Sequence, residues 1–121
     1  MLTPSYGLNH RGPVSELPRP IFARRLAEAR KHAGLSQAQV GVLAGMEPEV
    51  ASPRVNQYER GVHEPRAETA QKLADALGVP AAFLYTEDEM LAKLLLLWNS
   101  MSKVQRREVV KLAELSNGAE K

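Results

Sequence analysis

Helix start and stop signals recur along this 121-residue chain, and they constrain its fold more than any other feature. Ser36 and Gln39 form a Ser-x-x-Gln capping box, in which the serine hydroxyl accepts from the Gln39 backbone N–H and the glutamine side chain reaches back. We therefore predict a helix from Gln37 to about Gly45. Its apolar positions recur at helical spacing and are Val40, Leu43 and Ala44. Gly41 would let another backbone pack closely against this helix.

A second helix is predicted to begin at Ser52 and Pro53. Serine is a preferred N-cap, and proline fits the first helical position because its missing N–H would have no partner there. The helix would run from Pro53 to Arg60 and end at Gly61, where a left-handed residue is favoured. On a helical wheel one side packs and the other faces outward. The packed residues are Val55, Tyr58 and Glu59, and the outward ones are Pro53, Asn56, Gln57 and Arg60.

Three further helices complete the segment 20–85. One is predicted from Pro20 to Ala33, one follows Pro65 and ends at Gly78, and a short one runs from Pro80 to Leu84. The residues expected to face the core are Phe22, Leu26, Ala29, Ala70, Leu73, Ala74 and Leu77. No stretch of the sequence shows strand alternation. The predicted fold is therefore all-α, with a five-helix domain followed by a C-terminal helical hairpin.

Two stretches of this domain, Arg30–Gln37 and Tyr58–Gly61, carry a resemblance to a known family. They are similar to the Arg-x-x-x-Gly-Leu-Ser-Gln and Tyr-Glu-Arg-Gly segments that bracket two helices in the phage repressor and Cro-like helix-turn-helix regulators, the xenobiotic-response-element (XRE) family. The resemblance extends over residues 22–85. It implies a repressor-like helix-turn-helix domain that binds double-stranded DNA.

The same resemblance implies roles for individual residues. Gln37 would anchor a DNA phosphate, residues 52–57 would read bases, and Arg30 would pair with Glu59 inside the domain. One segment, 45–52, is longer than the usual turn between the two helices. We expect a loop there, because Pro48 cannot continue a helix interior.

The outward face of the second helix also has chemistry suited to DNA. Asn56 and Gln57 place side-by-side amides between Arg54 and Arg60; amides read adenine edges, and arginines contact phosphates. Arg66, near a helix start, is a further phosphate candidate. The candidate DNA-binding residues are thus Gln37, Ser52, Arg54, Asn56, Gln57, Arg60 and Arg66. The first 66 residues carry nine basic and six acidic side chains, although a solvated polar face would have a similar composition.

Composition argues against several other classes of protein. The chain has no cysteine and three scattered histidines, which predicts neither disulfides nor a metal site, and we expect no cofactor. No nucleophile, base and phosphate loop occur together, so nothing indicates an enzyme. The longest apolar run, residues 94–98, is far shorter than a membrane span. A cytoplasmic protein without membrane attachment is expected.

The first 19 residues are expected to form a flexible N-terminal tail. They contain Pro4, Pro13 and Pro18 and show little periodicity. Arg11 and Arg19 could instead make this segment a minor-groove arm.

The C-terminal hairpin is predicted over residues 86–121. Thr86 and Glu89 form one capping box, and Ser102 and Gln105 form another. The first helix is apolar over most of its circumference, so a single neighbour cannot bury it. The residues that we assign to dimerisation are Leu91, Leu94, Leu95 and Trp98. The second helix is expected to direct inward its residues Val109, Leu112 and Ala113.

These features predict a transcriptional repressor that binds a pseudo-palindromic operator as a homodimer through the hairpin. The alternative for the hairpin is packing onto the DNA-binding domain of its own chain. Two other functions remain open. In one, the protein is an antitoxin whose extra segments bind a toxin while the domain represses its own operon. In the other, the hairpin is an adaptor surface that docks a protein partner.

Overall fold

Six α-helices and one 3₁₀ helix make up the regular structure of residues 19–118, which are the residues described by the computed structural model. The predicted tail therefore lies outside the described residues up to position 18, as do residues 119–121. The elements are α1 (Ile21–Ala33), α2 (Gln37–Leu43), α3 (Pro48–Arg60), α4 (Ala67–Leu77), the 3₁₀ helix (Ala81–Tyr85), α5 (Glu89–Trp98) and α6 (Lys103–Gly118). The all-α prediction is confirmed.

The capping boxes determine where two of these helices begin. Ser36 Oγ accepts from the Gln39 backbone N–H at 3.0 Å, and the Ser36 N–H donates to Gln39 Oε1 at 2.8 Å. Ser102 and Gln105 make the same pair of bonds at the start of α6. The box predicted at Thr86 is wrong. That hydroxyl donates to the Ala82 carbonyl, and α5 begins three residues later. The N-cap of α5 is Asp88, whose carboxylate accepts from the Leu91 N–H.

The core lies between α1, α2, α3, α4 and the 3₁₀ helix. All seven residues predicted inward on α1 and α4 are buried, together with Val40 and Ala44 of α2 and Val55 of α3. Leu43 is an exception, because α2 ends there and its side chain is 61% exposed. On α3, the face that carries Val55 and Glu59 packs against the core, and the opposite face is exposed to solvent.

The long segment between α2 and α3 is not the loop that we predicted. Helix α3 begins at Pro48, with Glu47 as an extended N-cap whose carbonyl accepts from Val50 and Ala51. The first-position rule for proline therefore applies to Pro48, and Pro53 lies inside the helix, where it cannot donate to the carbonyl four residues before it. Contact between Ala51, which is fully buried, and α2 stabilises the extra turn.

That contact depends on Gly41. A Cβ atom at this position would lie 2.6 Å from Ala51 Cβ and 2.8 Å from Ala51 Cα, so the α2 and α3 backbones approach more closely than any side chain allows. We predict that Gly41→Ala lowers the free energy of unfolding by about 1–3 kcal/mol, despite the higher helix propensity of alanine. Urea unfolding would measure this. Gly118→Ala is the control, since its Cβ would meet no atom within 4 Å; equal stability of the two variants would contradict the prediction.

Arg25 joins this core to α5, a role that the sequence did not reveal. The side chain is 2% exposed, and its Nε donates to the Thr86 carbonyl at 2.7 Å while Nη2 donates to the Glu87 carbonyl at 3.1 Å. Glu28 and Glu89 pair with its guanidinium. Burial lowers the pKa of Arg25, but the hydrogen bonds to these two carboxylates outweigh it and raise the pKa above its usual value.

The two C-terminal helices pack very differently. Ala92 of α5 is buried in the core, and Leu95 and Leu96 pack against the same core. Helix α6, in contrast, has no buried residue in the described chain. The predicted inward residues of α6 are therefore wrong for a single chain: Leu112 is 67% exposed, and Val109 and Ala113 are not buried either. Among residues 19–118, no helix has the length and apolarity to cross a membrane.

Candidate nucleic-acid interface

The solvent face of α3 is the candidate interface. Its exposed residues are Pro53, Arg54, Gln57 and Arg60, with Ser52 and Asn56 half-buried beside them. The helix ends at Gly61, whose φ of 78° is left-handed, and the N–H groups of Gly61 and Val62 close the last turn on Tyr58 and Gln57. The face therefore belongs to a helix with a fixed end, held to the core along its opposite side.

Charge is distributed unevenly along this helix. Glu47 and Glu49 lie at its start, where carboxylates suit the positive end of the helix dipole. Arg54 and Arg60 lie in the second half, and Arg66 is exposed at the N-cap of α4. A phosphate backbone would be repelled by the first turn and attracted by the second half. The second half of α3 is therefore the part suited to DNA.

Beneath this face, Arg30 of α1 forms an ion pair with Glu59 of α3. Arg30 Nε donates to Glu59 Oε2 at 2.6 Å, and Nη2 donates to Oε1 at 3.1 Å. A third bond, from Nη1 to the Leu35 carbonyl at 3.0 Å, holds the guanidinium against the segment before α2. The hydrogen bonds to Glu59 raise the pKa of Arg30, against the opposing effect of burial. Glu59 is 5% exposed, so the pair is part of the domain interior.

Two amides extend this ion pair to the candidate interface. Gln37 Nε2 donates to Glu59 Oε1 at 3.1 Å and to Asn56 Oδ1 at 3.2 Å. Both hydrogens of this amide are thus used inside the protein, and a phosphate contact by Gln37 would need its backbone N–H instead. The sequence pattern placed Asn56 and Glu59 on opposite sides of α3. Residues three positions apart are neighbours on a helix, and this spacing was the signal that Asn56 and Glu59 could share the Gln37 amide.

The other predicted DNA-binding residues lie apart from this network. Ser52 is in the second turn of α3 and is not the N-cap, because the helix begins before it. Gln57, Arg54, Arg60 and Arg66 are exposed. Arg19, at the edge of the predicted tail, donates to the Glu59 carbonyl at 3.0 Å, whereas Arg11 lies outside the described residues. In the described part of the chain, no three acidic or histidine side chains are grouped to hold a metal ion.

The residues assigned to dimerisation do not share one environment. Leu91 is 46% exposed, and Leu94 and Trp98 are half-buried. Leu95 packs partly against the core of its own chain. Arg106 of α6 stacks on Trp98, its guanidinium 5.4 Å from the ring centroid, and donates to the Trp98 carbonyl. The apolar surface left open on α5 also includes Met90 and Leu97.

Comparison with known proteins finds a matching family model and similar solved structures. Residues 26–84 match the family model described as Helix-turn-helix. The crystal structure of transcriptional regulator BswR is similar to this chain, with 40% sequence identity and a TM-score of 0.75, over 82% of this chain and 98% of the BswR chain. The similarity to BswR therefore extends beyond the segment that the family model matches. No curated protein sequence matches this chain significantly.

Proposed function

This chain belongs to the XRE-type helix-turn-helix family of DNA-binding transcriptional regulators, and from that premise we propose that it is a repressor that binds a pseudo-palindromic operator as a homodimer. The observation that carries the proposal is the solvent face of α3, where an exposed amide and two arginines lie on a helix that the Arg30–Glu59 ion pair joins to α1. Repression would follow from occupancy, since a dimer bound across a promoter excludes other proteins from the same groove.

In this proposal α3 lies in the major groove. Gln57 is the principal reading residue, because it is exposed and its amide can donate and accept at once on a base edge. Arg54, Arg60 and Arg66 contact phosphates on either side of the groove, and these contacts supply affinity without sequence information. Ser52 and Asn56 contribute further contacts from the same face.

The dimer would form through the C-terminal helices. Helix α6 has sixteen residues and buries none of them, whereas most of the stability of a helix in a protein comes from packing of its apolar face. A second copy offers an equal apolar surface related by two-fold symmetry. The exposed apolar residues that this dimer would cover are Met90, Leu91, Leu97, Val104, Leu112 and Leu115.

We predict that two substitutions on α3 will distinguish base recognition from phosphate binding. Gln57→Ala should weaken binding to the preferred operator by about 1–3 kcal/mol and hardly change binding to random DNA. Arg60→Ala should weaken both, and should reduce the slope of log K against log salt by about 0.9. Fluorescence anisotropy titrations at several salt concentrations would measure both quantities.

Two outcomes of these titrations would contradict the proposal. A flat salt dependence for the wild-type protein would exclude binding through phosphates. Equal losses of Gln57→Ala on operator and random DNA would show that this residue positions the helix and does not read bases. The operator itself can be obtained by selection from a pool of random duplexes.

A further inference from the structure

The hydrogen bonds around Gln37 determine which way two amides point. A carboxylate can only accept, so the Gln37 atom that lies 3.1 Å from Glu59 Oε1 has to be the amide nitrogen. The same nitrogen lies 3.2 Å from the Asn56 side chain, so the Asn56 atom facing it has to be the carbonyl oxygen. The Asn56 NH₂ group is therefore the end that is turned away from the network.

We propose that this chain of hydrogen bonds, called the relay below, makes Asn56 a donor-only reader that selects guanine within each operator half-site. Arg30 holds Glu59, Glu59 orients Gln37, and Gln37 holds the Asn56 oxygen inward. The inference rests on the proposed function, in which α3 occupies the major groove. It adds a specificity-determining residue and the base class that this residue takes.

The base edges in the major groove explain the choice of guanine. Guanine presents two acceptors, N7 and O6, which suit an NH₂ group that has two hydrogens to donate. An asparagine reads adenine by presenting its NH₂ group to N7 and its oxygen to N6, but here the Asn56 oxygen is turned inward to Gln37 and away from the base edge. Cytosine presents a donor, which opposes the NH₂ group, and thymine offers a single acceptor. Guanine is the base that uses both hydrogens.

The relay is also stiff enough to hold this orientation. Glu59 is almost completely buried and receives two bonds from one guanidinium, a planar fork that fixes the carboxylate. Gln37 is half-buried at the first position of α2, beside the capping box. Rotating the Asn56 amide would place two NH₂ groups against each other, so the reversed orientation loses a hydrogen bond.

Selection of bound sequences from a random duplex pool tests the proposal with the full-length wild type and three variants. Wild type should select guanine at one position of each half-site. Asn56→Asp keeps an oxygen toward Gln37 but directs an acceptor outward, so the preference at that position should change to cytosine, with about a tenfold change in relative affinity. Gln37→Leu frees the Asn56 amide, and adenine should then be accepted beside guanine.

The third variant, Gln71→Leu, makes the same change on the exposed surface of α4 and should leave the preference unchanged. Thermal unfolding checks that each variant is folded. The selection with Asn56→Asp tests the proposal even if Gln37→Leu does not fold. The inference is overturned if wild type binds a defined operator in which no position changes with Asn56→Asp. A wild type that selects no sequence at all removes the proposed function, and the inference with it.

Discussion

Replacing Glu59 with alanine is expected to lower the free energy of unfolding by about 3–5 kcal/mol, because it leaves the half-buried guanidinium of Arg30 without its carboxylate. The Gln37 amide would also lose one acceptor. A domain of this size is stable by only about 5–15 kcal/mol, so the substitution would remove a large part of its free energy of unfolding. Urea unfolding monitored by circular dichroism would measure the loss.

Glu49→Ala is the matched control, because Glu49 is an exposed glutamate on the same helix. Its removal should cost no more than about 1 kcal/mol, through the helix dipole. The double variant Arg30→Met with Glu59→Leu should recover much of the stability, since an apolar pair of similar volume replaces a buried ion pair at little cost. If Glu59→Ala and Glu49→Ala are equally stable, the ion pair does not hold α1 against α3.

Local signals predicted the helix boundaries where no tertiary contact opposed them. The boxes at Ser36 and Ser102 satisfy N–H groups within one turn, so a few residues suffice to place them. Pro53 misled the prediction because it also fits a first helical position. The close packing of Ala51 on Gly41 outweighed the loss of one hydrogen bond inside α3, and a contact between residues ten positions apart is not visible in local pattern.

The candidate site could be predicted only in part. Periodicity located the outward face of α3, and the resemblance pointed to Arg30 and Glu59. The relay through Gln37 joins residues 19 and 22 positions apart, and its geometry depends on how α2 crosses α3. Arg25 shows the same limit, since a buried arginine with four partners is indistinguishable in sequence from a solvated one.

Helix α5 illustrates why hydrophobic pattern cannot choose between faces. It is apolar over most of its circumference, so the sequence allowed several packed stripes. The structure selects Ala92, Leu95 and Leu96 for the chain's own core. Both packing arrangements considered for the hairpin can therefore hold at once: one stripe packs within the chain, and another stays exposed for a second copy.

This division of α5 shows where to break the proposed dimer. Leu91→Asp is the most informative change, because Leu91 is exposed and lies in the first turn of α5, where a carboxylate suits the helix dipole. Leu95→Asp would instead damage the core, and an aspartate at Trp98 would lie beside Arg106 and could pair with it. Leu112→Asp makes the equivalent change on α6.

Leu91→Asp and Leu112→Asp are both expected to be monomeric, because a new charge in an apolar interface costs several kcal/mol unless it is paired. Operator affinity should fall by about 10²–10⁴-fold, since the second half-site no longer binds at the high effective concentration that the dimer provides. Weak binding to random DNA should survive. Half-sites in the wild-type operator should be centred about 10 bp apart, or a multiple of that distance.

Analytical ultracentrifugation tests the dimer directly, with Leu43→Asp as the control. Leu43 is a leucine of similar or greater exposure on α2, outside the C-terminal helices, so its replacement should leave the sedimentation of the dimer unchanged. A wild-type protein that stays monomeric at tens of micromolar, with and without operator DNA, would eliminate α5 and α6 as a dimer interface. The apolar residues of α6 would then need another partner, since nothing in residues 19–118 buries them.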